Sequence, residues 1–128
     1  MEQAIKARVL LVDDDVSLSR LFQYSLTKNG FECRTAMNGR DGYDLAASWL
    51  PDLIISDVMM PIMSGYEFRR KVLTDPAVAS IPFVFLTAKS ADDDLSEASD
   101  LGVADFIIKT AGPKILVDKV RAILGIEN

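Results

Sequence analysis

An α/β fold, a doubly wound (βα)5 three-layer sandwich on a parallel five-stranded sheet, follows from three features of the chain. Five short apolar runs punctuate it: Val9–Val12, Phe31–Ala36, Leu53–Ser56, Ile81–Leu86 and Ala104–Ile108. Four are nearly continuous in Val, Ile, Leu and Phe, as in strands covered on both faces. A stretch with helical signals follows each run. Strict alternation of strand and helix implies parallel strands, helices on both faces and right-handed crossovers.

Each element has its own justification. In the first helix Leu18, Leu21, Phe22 and Leu26 draw one apolar stripe; Asp15 is placed to cap its start, and Asn29-Gly30 to end it. The second run, Phe31–Ala36, alternates, with Phe31, Cys33 and Thr35 on one face and Glu32 and Arg34 on the other, which predicts a strand near a sheet edge. A second helix spans about Gly39 to Leu50 and is stopped by Pro51, with Trp49 as a helix-packing residue. Ser64-Gly-Tyr-Glu67 is a capping-box pattern that opens a third helix, carrying Tyr66, Phe68 and Val72 and ending before Pro76. Ser90-Ala-Asp-Asp93 opens a fourth, closed by Gly102. Pro113 suits the first turn of a fifth, whose apolar face is Leu116, Val117, Val120, Ile123 and Leu124.

The 128 residues fit one domain, with a core over about 8–124 and short tails. The hydrophobic fraction of 49% and charged fraction of 26% are those of an ordinary globular chain. At this size about 65–70% of the unfolded surface can be buried without a disulfide or metal staple. The formal net charge of −5 gives no electrostatic reason to bind nucleic acid. The chain has no histidine, which excludes an imidazole base, a His–metal site and a phosphohistidine of its own. The single cysteine, Cys33, cannot form an internal disulfide and is expected buried on the second strand, with no redox role. No signal-peptide core or membrane-length apolar run is present, so a cytoplasmic location is expected.

In a doubly wound sheet, ligands bind at the carboxyl ends of strands where the strand order reverses. Asp13, Asp14 and Asp15 follow the first run, Asp57 the third, Thr87 the fourth and Lys109 the fifth. If those strands are neighbours, the residues converge on one crevice. Singly they read as a helix cap, a turn aspartate, a loop hydroxyl and a surface lysine. Together, Asp13, Asp14 and Asp57 bring like charges that cost roughly 1–4 kcal/mol per pair at ~4 Å. A hard divalent cation such as Mg²⁺ and the Lys109 ammonium would offset that cost. Carboxylates, a lysine and a hydroxyl without histidine suit phosphoryl chemistry, with a carboxylate as nucleophile.

Several separated motifs, in order and over essentially the whole chain, resemble the response-regulator receiver domain of two-component signalling. They are Leu10-Leu-Val-Asp-Asp-Asp15, Pro51-Asp-Leu-Ile-Ile-Ser-Asp57-Val-Met-Met-Pro61 with Gly65, Phe85-Leu-Thr87-Ala88, and Gly102-Val-Ala-Asp-Phe106-Ile-Ile-Lys109. The resemblance implies a flavodoxin-like sheet of order 2-1-3-4-5. It implies Asp57 as the phosphoacceptor, and Asp13 and Asp14 as the acidic pair for Mg²⁺, Asp14 directly and Asp13 through water. The Met59 carbonyl would be a further ligand. Thr87 is matched to the switch hydroxyl, Lys109 to the lysine that pairs with the phosphoryl group, and Phe106 to the aromatic whose rotamer reports phosphorylation.

It further implies a histidine kinase or histidine phosphotransfer protein as donor, and a downstream protein or linked output domain as target; a homodimer is compatible with it. Chemistry would be self-directed phosphotransfer and autodephosphorylation, without turnover of a separate substrate. The surface of the fourth helix, fifth strand and fifth helix is expected to switch, because Ala91–Leu101 carries Asp92, Asp93, Asp94, Glu97 and Asp100 against a thin apolar stripe. Two positions, Met59 and Lys89, are expected to line the approach of water and slow hydrolysis. One departure from the family is Thr110 after Lys109, where proline is usual; a trans peptide is the expectation there.

Three rivals fit less well. A haloacid-dehalogenase-like phosphatase shares the D-x-D of Asp13–Asp15, but lacks a later acidic pair and a cap segment and leaves Asp57 without a role. A flavodoxin-like cofactor binder calls for Ser, Thr and Gly, not three aspartates, after strand 1. A degenerate receiver acting as a constitutive interaction module would not need the full set Asp13, Asp14, Asp57, Thr87 and Lys109.

Overall fold

The structure is a computed structural model that describes residues 5–88 and 100–126. Its strands are β1 (Arg8–Val12), β2 (Glu32–Ala36), β3 (Leu53–Asp57), β4 (Phe83–Thr87) and β5 (Asp105–Ile108). Helices α1 (Val16–Lys28), α2 (Gly39–Trp49) and α3 (Gly65–Thr74) alternate with them, and a C-terminal helix, Pro113–Leu124, ends the fold. The sheet is wholly parallel with order β2-β1-β3-β4-β5, the order that the resemblance implies. The expected fourth helix falls outside the described residues, except at its end.

Side-chain alternation sorts the sheet into two cores. Val9 and Leu11, Leu53 and Ile55, Val84 and Leu86, and Ile107 face α1 and the C-terminal helix, meeting Phe22, Leu26, Leu116, Val117 and Val120. Leu10, Val12, Ile54, Phe83 and Phe85 face the other way, against Ala46, Trp49, Phe68 and Val72 of α2 and α3. This is the three-layer arrangement expected of near-continuous apolar strands. Edge-on aromatic contacts order the second core: Phe68 on Phe83 at 5.3 Å and Phe83 on Phe85 at 5.4 Å between centroids.

The local signals act as read. Asp15 accepts from the Leu18 N–H, and Ser64 and Glu67 form a reciprocal capping box. Pro113 opens the C-terminal helix. Gly42 lies so close to β1 that a Cβ there would stand 2.9 Å from Val12 Cγ2.

Three expectations need correction. Asp57 and Thr87 are the last residues of β3 and β4, not the first residues beyond them; Asp57 pairs with Leu86, and Thr87 with Ile108. β4 starts at Phe83 rather than Ile81, because Pro82 has no N–H and contributes only its carbonyl, to Ile54. Finally, β5 is not covered on both faces. It is the second edge of the sheet, with Ile107 buried and Ile108 exposed. β2, as its alternation predicts, is the other edge; its exposed residues are Arg34 and Thr35.

Candidate functional site

Register puts the site together. Val12 pairs with Ser56, so Asp13, one residue on, stands level with Asp57; Asp57 pairs with Leu86, beside Thr87; and Thr87 pairs with Ile108, beside Lys109. The four residues therefore lie at one end of the three central strands and the β5 edge. The crossover between β1 and β3, with β2 turned outward, is the reversal point where such sheets open a crevice.

A cleft of about 570 Å³ lies there, lined by Asp14, Asp15, Asp57, Val58, Met59, Tyr66, Thr87, Ala88 and Lys109. Carboxylate oxygens of Asp13, Asp14 and Asp57 lie within 4.8 Å of one another. Asp13 is only 1% exposed, Asp57 and Thr87 are buried and Asp14 is open to solvent. Lys109 Nζ donates to Asp57 Oδ2 at 2.8 Å and stands 3.4 Å from Asp13 Oδ2. The sequence-predicted cluster is thus brought together, Lys109 included.

The electrostatics follow from burial. Desolvation pushes the Asp13 carboxyl up to about 6 from an ordinary 3.8. The Asp15 N–H, which donates to Asp13 Oδ1 at 2.9 Å, opposes this; the Asp57 charge adds to it, and Lys109 opposes it again. Burial would lower the Lys109 ammonium, but its hydrogen bond to Asp57 and the charges of Asp13 and Asp57 outweigh it, and its pKa is raised. Lys109 is therefore a fixed cation between two acids. Asp13 Oδ2 is buried without a hydrogen-bond partner. An orphaned carboxylate oxygen beside two more carboxylates is the donor set of a hard divalent cation, so Asp13, Asp14 and Asp57 fit Mg²⁺.

The surrounding loops hold this geometry. Lys109 starts a short 3₁₀ turn, Lys109–Ala111, and its peptide bond to Thr110 is trans as expected. The Gly65 N–H donates to the Val58 carbonyl at 2.7 Å, and a Cβ on Gly65 would collide with the Asp57 carbonyl. Only glycine allows α3 to start so close behind Asp57. Phe106 is half-buried against the second core, its ring 6.3 Å from that of Phe85. Met59 is exposed at the cleft, whereas Lys89 lies outside the described residues.

The sequence reading missed Tyr66 as a lining residue. Its ring packs edge-on to Phe85 at 5.3 Å and it borders the cleft. Its place in the first turn after Ser64-Gly65 was the available signal, since that turn starts directly behind Asp57.

Comparison with known proteins agrees with this geometry. Residues 9–121 match the family model described as the response regulator receiver domain. The chain is 38% identical over 119 residues to the response regulator PleD of Caulobacter vibrioides, covering 93% of this chain and 26% of PleD. It is 33% identical to the phosphate regulon transcriptional regulatory protein PhoB of Pseudomonas aeruginosa, covering 91% of this chain and 51% of PhoB. The chain thus spans about a quarter to a half of these relatives. The structure of the chemotaxis response regulator CheY4 of Vibrio cholerae superposes with a TM-score of 0.87 at 31% identity, over 92% of this chain and 98% of that one. With the family model matched from β1 into the C-terminal helix, and with the strand order and acidic cleft already described, the chain belongs to the response regulator receiver domains of two-component signalling.

Proposed function

We propose that Asp57 accepts a phosphoryl group from a phosphohistidine on another protein and that the resulting aspartyl phosphate changes a protein-binding surface. The observation that carries this is the Lys109 ammonium 2.8 Å from Asp57 and 3.4 Å from Asp13, with three carboxylates converging beside it. In the transfer, an Asp57 oxygen attacks phosphorus, the P–N bond of the donor breaks, and the imidazole leaves with a proton from solvent. Hydrolysis later adds water across the acyl phosphate and returns carboxylate and phosphate. Asp13, Asp14, Asp57 and the Met59 carbonyl would hold Mg²⁺, which supplies positive charge for the phosphoryl oxygens when bound.

Lys109 follows the transferred charge, moving its donor from the carboxylate to a phosphoryl oxygen. Thr87 supplies a hydroxyl hydrogen bond from the end of β4, and Phe106 reports the change through its rotamer. Met59, exposed over the cleft, hinders attacking water. The chain acts as a single domain that turns over no separate substrate. Its setting is cytoplasmic; among the described residues no helix is long and apolar enough to cross a membrane. Its donor is a histidine kinase or phosphotransfer protein, and its target a downstream protein or a linked output domain. The switching surface comprises β5, the C-terminal helix and the segment 91–101, which lies largely outside the described residues.

The test is incubation with acetyl phosphate and Mg²⁺, read by intact mass. A phosphoryl adduct on the wild type that is absent from Asp57→Asn is expected. No adduct, or an equal adduct on Asp57→Asn, overturns the proposal.

A further inference from the structure

The loop after Asp57 holds an unusual residue. Ile62 has φ 72, in a region that β-branched side chains rarely enter. The Met63 N–H donates to the Pro61 carbonyl at 2.7 Å, closing a three-residue turn around Ile62. An i→i+2 bond with positive φ at its centre is the γ-turn of the rarer, strained hand. Glycine would relieve the strain, yet isoleucine stands there.

Nothing inside the fold explains that choice. The Ile62 side chain is 68% exposed and joins neither apolar core. Three residues earlier on the same loop Met59 is 73% exposed and borders the cleft. On the neighbouring β2–α2 loop Met37 is 52% exposed, and that loop is tied to this one by the Gly39 N–H bond to the Met63 carbonyl at 3.3 Å. Singly exposed apolar residues are ordinary, but here one borders an acidic cleft and another stands in a strained turn of the same loop.

We infer that Ile62, with Met59 beside it, is an apolar docking residue for the protein that delivers the phosphoryl group, and so a determinant of donor choice. The inference rests on the phosphoacceptor reading. Ile62 lies on the loop that leaves Asp57 at the end of β3, the loop whose Met59 borders the cleft, so a protein seated over the cleft meets this loop. The chain has no histidine, so a phosphohistidine must arrive on another protein and bring its surface to this rim. A small-molecule donor enters the cleft without touching Ile62. Strained, exposed and apolar, Ile62 suits a contact that forms only in the transfer complex, where burial of the side chain is favourable.

Two donors separate this inference from the reading beneath it. Wild type, Ile62→Gly, Ile62→Asn and Ile62→Met are loaded in parallel with acetyl phosphate and with a purified autophosphorylated histidine kinase. The kinase is the member of a profiling panel that loads the wild type fastest. Acetyl phosphate is expected to load all four chains at equal rates. From the kinase, kcat/KM is expected to fall about tenfold in Ile62→Gly and Ile62→Asn, about 1.4 kcal/mol, and to be retained in Ile62→Met. Unchanged transfer from the kinase to Ile62→Gly and Ile62→Asn overturns the inference. So does a loss shared equally by both donors, which would mark a distorted cleft, and so does acetyl phosphate loading with no transfer from any kinase. Absence of loading by either donor on the wild type instead removes the phosphoacceptor reading.

Discussion

Asp13 carries most of the tension in the site: nearly sealed from water, it faces Asp57 across Lys109 and keeps one oxygen without a hydrogen bond. Such a group costs stability in the bare chain and is useful only with something positive bound. Arg69 poses the opposite case. It is buried on α3, donates to the Leu101 and Gly102 carbonyls at 2.9 and 3.2 Å, and lies over the Phe83 ring. It fixes the turn before β5 through backbone carbonyls, and burial lowers its pKa. A third residue pair makes a pH prediction. The Tyr43 hydroxyl donates to Asp75 Oδ2 at 2.6 Å, bridging α2 and the end of α3. The bond to that carboxylate raises Tyr43 above an ordinary 10.0 and lowers Asp75 below 3.8. Stability from Tyr43 is then fully present below pH 10.0 and lost as pH rises through its folded value. Stability from Asp75 is present above pH 3.8 and lost as pH falls through its folded value. In a tyrosinate absorbance titration, Asp75→Ala is expected to bring one of the three tyrosines down toward the ordinary value. An unaltered titration curve refutes the assignment.

Among the elements, α2 is the one whose position is set most by what it lacks. Gly42 faces Val12, and a Cβ would meet Cγ2 at 2.9 Å and the Phe68 ring at 3.2 Å. Alanine is the better helix former by about 1 kcal/mol, and on propensity alone Gly42→Ala should stabilise the chain. Overpacking against a strand in a filled core costs about 1–3 kcal/mol. Both neighbours are buried, so the steric cost wins, and urea denaturation is expected to show a net loss of up to about 2 kcal/mol. A gain would mean that α2 can slide. The same contrast between local and distant causes decides what the sequence revealed. Ser64 and Glu67 announced the start of α3 because a cap is completed within four residues. Phe31–Ala36 announced an edge because polar residues interrupt its apolar run, although the alternation itself is broken: Thr35, expected on the Phe31 and Cys33 face, is exposed beside Arg34. Ala104–Ile108 misled, since burial ends within the run: Ile107 is buried and Phe106 half-buried, but Ile108 is exposed, and the apolar letters alone do not mark that end. Arg69 carries no local signal of its burial, because its carbonyl partners lie more than thirty residues away.

At the scale of the whole molecule the sheet separates two ends with different tasks. Asp13, Asp57, Thr87 and Lys109 could be gathered from the sequence because each follows or ends an apolar run, and parallel strands put like ends together. At the other end lies Trp49, the single tryptophan. Its carbonyl accepts from the Arg8 guanidinium at 2.7 Å, and its ring lies under Arg34 at 4.8 Å and Arg8 at 5.6 Å. Arg8 opens β1 whereas Asp13 follows it, so Trp49 is separated from the cleft by the length of the strand. Trp49 fluorescence should therefore be blind to loading of the cleft yet sensitive to global unfolding. Beryllofluoride with Mg²⁺, a phosphoryl mimic, binds only the folded site. At about a hundred times its Kd it should add about 2.7 kcal/mol of stability. For a chain of this size that raises the melting midpoint by about 8–15 °C. The Trp49 signal at low temperature should stay fixed while its melting transition moves, and Asp57→Asn should melt at one temperature with or without the mimic. A two-core sheet that unfolds as one unit gives a single transition, shared by Trp49 and the far-ultraviolet circular dichroism. If the mimic shifts the circular dichroism but leaves the Trp49 transition in place, the two ends of the sheet unfold separately and the cleft does not draw on the whole fold.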